Sequence, residues 1–206
     1  MLAVAWSPDN TRIVSGALDR TVQIWQVTSG TRLRTLVGHG LLVGSVAWSP
    51  DGSLIASGSA DQTIKIWQAA SGSLYRTLST RTQEINSVAW SPDGSYIAGA
   101  GGRYDFTIKI WHVESGALAQ TLAGHRGVVV AVAWSPDGTQ ISSGSYDGSA
   151  YLWQVKSGMP LGALLGHSAP VLSVAWSPDG TQIASGALDG PIQVWEASSG
   201  VLLQIL

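Results

Sequence analysis

Three times in this chain a histidine is followed, 18 and then 4 residues on, by a serine and an aspartate. The sets are His39, Ser57 and Asp61; His125, Ser143 and Asp147; and His167, Ser185 and Asp189. These residue types can perform nucleophilic catalysis. A histidine would take the serine proton, a carboxylate would orient the histidine, and oxyanion donors would flank an open cleft. An enzyme rarely needs three copies of one triad, however. The recurrence therefore directs attention to the unit that repeats.

Internal repeats decide the architecture. The string Ala-Trp-Ser-Pro-Asp occurs five times, with its tryptophan at Trp6, Trp48, Trp90, Trp134 and Trp176, at intervals of 42, 42, 44 and 42 residues. A second ladder, Trp25, Trp67, Trp111, Trp153 and Trp195, keeps the same intervals, and the two ladders use all 10 tryptophans. The longer interval holds Gly101-Gly102-Arg103-Tyr104, which reads as a two-residue insertion in a turn.

Each unit reads as four short strands. In the second, Val43 to Ser49 alternates around Val46 and Trp48. Ser49-Pro50-Asp51-Gly52 suits a type I turn, with proline at its second position and glycine at its fourth. Leu54 to Ser59 forms the next strand, and Thr63-Ile64-Lys65-Ile66-Trp67 has the two-residue period of a half-buried one. After the turn Ala70-Ser71-Gly72-Ser73 comes Leu74 to Leu78. No segment sustains a 3.6-residue apolar period, so no helix is expected. Four antiparallel strands per unit of this length match a propeller blade. The expected fold is an all-β propeller of five four-stranded blades, one domain over 1–206, with blades at about 2–36, 43–78, 85–122, 129–165 and 171–206.

With these residues in view, the chain resembles the WD-repeat β-propellers over its whole length. The Gly-His signature stands at Gly38-His39, Gly124-His125 and Gly166-His167. The Trp-Asp signature is altered in every unit, to Trp25-Gln26, Trp67-Gln68, Trp111-His112, Trp153-Gln154 and Trp195-Glu196. The Ser-Pro-Asp-Gly style is similar to that of bacterial members. The resemblance implies that the His-Ser-Asp sets, with Trp67, Trp153 and Trp195, are buried hydrogen-bond chains tying the strands of each blade together. The first unit keeps Ser15, Asp19 and Trp25. The third keeps Asp105 and Trp111 but has Arg81 and Gly99 at the histidine and serine positions. Those two blades are expected to be less firmly pinned.

The resemblance also implies partner contacts at one mouth of the ring. One set of positions precedes each turn aspartate: Leu18, Ala60, Tyr104, Tyr146 and Leu188. The other opens the first strand of each blade: Leu42 and Gly44, Glu84 and Asn86, Val128 and Val130, Pro170 and Leu172. These residues are mostly apolar, and an apolar patch with aromatic anchors marks an interaction site. They could equally fill the central channel. The function expected is a non-catalytic scaffold that binds a peptide or protein at this mouth, the kind of module that sits within larger signalling or regulatory proteins. The alternative is a structural segment that completes its ring by homo-oligomerisation. The first unit begins at its inner strand and the last ends at its outer strand, which leaves closure as a five-bladed ring or assembly with a second copy.

Other chemistry finds no support. The chain has no cysteine, so thiolate metal sites and thiol nucleophiles are excluded. His112, the only histidine outside the Gly-His pairs, has no neighbour at metal-ligand spacing. Gly99-Ala100-Gly101-Gly102 precedes no helix that could hold a phosphate. Aspartate turns such as Asp147-Gly148 lack the spacing of a calcium loop. No cofactor or metal is expected. Of the 206 residues, 45% are hydrophobic and only 12% charged, and the net charge of −2 gives no basic field for nucleic acid. No apolar run approaches the roughly 18 residues that span a bilayer. The start, Met1-Leu2-Ala3-Val4-Ala5-Trp6, lacks the basic and apolar regions of a signal peptide. A cytoplasmic location, with no nucleic-acid or membrane partner, is expected.

Overall fold

The computed structural model describes residues 1–81 and 84–206. Its strands are β1 (Ala3–Trp6), β2 (Arg12–Gly16), β3 (Thr21–Gln26) and β4 (Arg32–Val37) in the first blade, and β5 (Val43–Trp48), β6 (Leu54–Ser59), β7 (Thr63–Gln68) and β8 (Leu74–Ser79) in the second. The third blade holds β9 (Ile85–Trp90), β10 (Tyr96–Gly101), β11 (Ile108–His112) and β12 (Leu118–Leu122). The fourth holds β13 (Val129–Trp134), β14 (Gln140–Ser145), β15 (Ala150–Gln154) and β16 (Pro160–Leu164). The fifth holds β17 (Val171–Trp176), β18 (Gln182–Ala187), β19 (Ile192–Glu196) and β20 (Leu202–Ile205). Each blade is one antiparallel sheet whose strands lie in chain order, as hairpins joined by short turns dictate. The result is an all-β propeller of five four-stranded blades.

The turns explain the pairing register. In Ser49-Pro50-Asp51-Gly52 the Gly52 N–H donates to the Ser49 carbonyl at 2.9 Å, and Gly52 adopts φ 70°, a region open to glycine at little steric cost. The Ser49 hydroxyl donates to Asp51 at 2.6 Å and its oxygen accepts the Leu54 N–H at 2.9 Å, closing the β5–β6 hairpin. The same Ser-to-Asp bond recurs at Asp9, Asp93, Asp137 and Asp179. It holds these carboxyls below the usual range, Asp9 and Asp179 at about 2. The expected insertion lies between β10 and β11 and is absorbed before Asp105. Phe106 after it keeps the left-handed backbone seen at Arg20 and Gln62 in the matching turns.

Packing between blades is as regular as pairing within them. Four hydrophobic cores lie between consecutive blades. Val46, Trp48 and Ile55 of the second blade meet Val14, Val22, Ile24 and Leu36 of the first. From the second blade onward each inner-strand tryptophan also donates its indole N–H to the preceding blade: Trp48 to Ala5 O at 3.3 Å, Trp90 to Ala47 O at 3.3 Å, Trp134 to Ala89 O at 3.1 Å and Trp176 to Ala133 O at 3.2 Å. Among the described residues no fifth core joins the fifth blade to the first. Trp6 is 55% exposed where Trp48 is 8%, and Leu206 is 63% exposed where Leu36 is 3%.

Candidate functional site

The three complete sets converge as continuous hydrogen-bond chains. In the second blade His39 Nδ1 lies 2.8 Å from Asp61 Oδ2 and His39 Nε2 lies 2.7 Å from Ser57 Oγ. Trp67 donates its indole N–H to Ser57 Oγ at 2.8 Å. His125, Asp147, Ser143 and Trp153 repeat this at 2.9, 2.8 and 2.8 Å. His167, Asp189, Ser185 and Trp195 repeat it at 2.9, 2.9 and 2.8 Å. A neutral imidazole with its proton on Nδ1 satisfies every partner: Trp N–H to Ser oxygen, Ser O–H to Nε2, Nδ1–H to Asp. That tautomer follows from the network itself.

The chain of bonds ties more than one strand. His39 lies in the link that leaves β4, Ser57 on β6, Asp61 in the β6–β7 turn and Trp67 on β7. The histidine therefore fastens the link from one blade onto the next. Burial holds His39 and His125 below the ordinary imidazole value, despite the opposing pull of their aspartates. Burial also raises Asp61 and Asp147, but their hydrogen bonds outweigh it. Thr63, the Gly40 N–H and His39 hold Asp61 low, and Ser149, the Arg126 N–H and His125 hold Asp147 at about 2. A nucleophile needs access to substrate, whereas Ser57 and Ser143 are wholly buried and the three histidine side chains have no exposed surface. This arrangement ties strands together and keeps its serines and histidines from solvent.

The two incomplete sets differ from each other. In the first blade Trp25 donates to Ser15 Oγ at 2.9 Å, while Asp19 accepts from the N–H and hydroxyl of Thr21 within its own turn, at 3.0 and 2.7 Å. In the third blade Lys109 Nζ reaches Asp105 at 2.7 Å and Thr107 Oγ1 at 2.9 Å, so an ammonium stands against the turn carboxylate. Arg81 is exposed, and Gly99 offers no hydroxyl to Trp111. The sequence reading missed Lys109. It also missed the hydroxyl two residues after the turn aspartate, at Thr21, Thr63, Thr107 and Ser149, a repeat signal that was there to be found.

The second group of residues assembles at one end of the propeller. The Ala60 N–H donates to Leu42 O at 3.1 Å, the Tyr146 N–H to Val128 O at 2.9 Å and the Leu188 N–H to Pro170 O at 3.0 Å. Each bond sets the residue before a turn aspartate beside the residue that opens the inner strand of the same blade. Leu18, Leu42, Tyr104, Tyr146, Leu172 and Leu188 are exposed there, Tyr104 at 84%. Ala60, Gly44, Glu84, Asn86, Val128, Val130 and Pro170 are half-buried between them. Asn86 donates across the blade boundary to Val129 O at 3.4 Å, and Glu84 lies 3.8 Å from the Arg103 guanidinium. Leu41, also exposed, extends the apolar surface beside Leu42. Among the described residues no three of His, Cys, Asp and Glu gather as a metal site. No helix among them is long and apolar enough to cross a membrane.

A model of the family described as WD domain, G-beta repeat matches residues 1–26, 30–68, 72–112, 116–154 and 158–196. The chain belongs to this WD-repeat family. No curated protein matches it. The matched units straddle the blades: residues 30–68 contain β4 of the first blade and β5 to β7 of the second. The four repeats from residue 30 onward thus stitch neighbouring blades covalently, and in three of them His39, His125 and His167 add the hydrogen-bonded fastening. WD-repeat proteins generally serve as non-catalytic scaffolds that mediate contacts between proteins.

Proposed function

We propose that this chain is a non-catalytic scaffold that holds a peptide or protein segment with apolar side chains at the mouth formed by Leu18, Leu42, Tyr104, Tyr146, Leu172 and Leu188. One observation carries the reading: apolar and aromatic side chains stay exposed at the same repeat position in several blades, on turns anchored by backbone hydrogen bonds. Large rigid aromatics gain contact area at low entropic cost, which suits Tyr104 and Tyr146 as anchors. The cations Arg20, Arg103 and Arg126 stand on the neighbouring turns, and a partner with flanking acids would complement them. A cytoplasmic setting suits a cysteine-free scaffold of this kind.

Selection of a random peptide library on the immobilised chain tests this reading. Peptides rich in apolar residues should be enriched, and Tyr104→Ala with Tyr146→Ala should weaken their binding at least tenfold while the melting temperature holds. Selected peptides that bind the double variant as well as the parent would end the assignment of the mouth. The alternative of a segment completed by a second copy uses the blade faces and leaves the mouth free.

A further inference from the structure

The free face of the fifth blade and the free face of the first blade are the two halves of an interface this chain builds four times within itself. On the leading half, Gly16 leaves space that Val43 Cγ1 and Val46 Cγ1 fill, 2.7 and 3.1 Å from where a β-carbon would sit. Gly144 meets Val171 Cγ1 in the same way, at 2.9 Å. Gly186 holds the same repeat position in the fifth blade and has nothing within 4 Å. Beside it Ile192 is 47% exposed, where its counterparts Val22, Ile64, Ile108 and Ala150 are wholly buried. On the trailing half, Val4 and Trp6 are exposed, although their counterparts Val46 and Trp48 are buried against the preceding blade. Ala175 O is the counterpart of the carbonyls that accept Trp48, Trp90, Trp134 and Trp176.

We infer that a second copy of this chain covers these faces head to tail. Its Val4 would seat against Gly186, and its Trp6 indole N–H would donate to Ala175 O. Continuity with the internal interface selects this occupant. The shape, the apolar lining and the one directional hydrogen bond are those the chain already matches at each blade boundary. Among the described residues no core joins the fifth blade to the first. Exposed apolar surface of this kind is unfavourable in water, and association removes it. Unlike surfaces pair in such a contact, so copies either close into a ring or extend as an open array. The inference does not rest on the mouth, whose residues lie elsewhere.

The absence of cysteine makes the test clean. Val4→Cys and Gly186→Cys are made as separate chains, mixed and oxidised. The pair Gly16→Cys and Val46→Cys in one chain reproduces the contact at an internal boundary and reports that a disulfide can form there. A two-chain product from the mixture, exceeding that from either variant alone, is expected. The unmodified chain should show a mass of two copies or more by light scattering. A mixture that stays uncrosslinked while the internal pair bonds would overturn the inference. So would a bond formed within one chain carrying both Val4→Cys and Gly186→Cys, or a mass of 21.5 kDa at every concentration.

Discussion

His125 Nε2 lies 2.8 Å from Ser143 Oγ, and neither side chain has access to solvent. The pair looks like the working half of a serine hydrolase and acts as a brace. Removing the imidazole would leave Asp147 and Ser143 without their shared partner. An unsatisfied buried polar group costs about 1–3 kcal/mol. His125→Ala should lower stability by that order, measured by chemical denaturation. An unchanged midpoint would refute the bracing role.

The braces make stability depend on acid. Burial keeps the folded pKa of His39 and His125 below 6.5, so the unfolded chain takes up protons that the folded chain refuses as pH falls. Their contribution is complete above pH 6.5 and is lost below it. Asp147, held at about 2 against an ordinary 3.8, adds a second loss over that lower interval. The melting temperature should decline from pH 7 to pH 5, and less steeply in a His39→Asn, His125→Asn chain. Equal slopes in the two proteins would contradict the assignment.

Much of this was legible in the sequence for a definite reason. Repetition at 42 residues displays each strand and turn five times, so the period-2 pattern of Thr63 to Trp67 and the turn at Ser49 to Gly52 could be read against their copies. What repetition does not display is contact between blades. The indole bonds from Trp48 to Ala5 and from Trp134 to Ala89 join residues 43 and 45 apart and leave no local signature. Lys109 was hidden because lysine on a half-exposed strand also reads as a solvated residue; only its approach to Asp105 gives it a role. The difference between Trp6 and Trp48 is likewise invisible to composition, since both stand in the same five-residue string.

The third blade offers a test of how far its missing brace has been replaced. Restoring the serine alone should fail. A β-carbon at Gly99 would lie 2.6 Å from Ile64 Cδ1 and 3.1 Å from the Trp111 ring. Overpacking of this kind costs about 1–3 kcal/mol. Gly99→Ser should therefore destabilise the chain. Adding Ile64→Val removes the obstructing methyl, matching Val22 of the first blade, and lets the new hydroxyl accept the Trp111 N–H. A double-mutant cycle should give a favourable coupling between the two changes. Additive effects would show that Ile64 does not occupy the space of the lost serine.

The two environments of the same tryptophan position separate packing within the chain from packing between chains. Trp134 is 9% exposed between the third and fourth blades. Truncating a buried tryptophan costs about 3–5 kcal/mol, so Trp134→Ala should lower the melting temperature at every protein concentration. Trp6→Ala removes a side chain that one copy leaves in water, and dilute protein should melt almost as the parent does. Association stabilises the folded state by mass action and makes the melting temperature rise with concentration. The parent should show that rise and Trp6→Ala should not. A parent whose melting temperature ignores concentration would leave Trp6 with no partner to explain its position, and a Trp6→Ala chain that still shows the rise would place the contact on another surface.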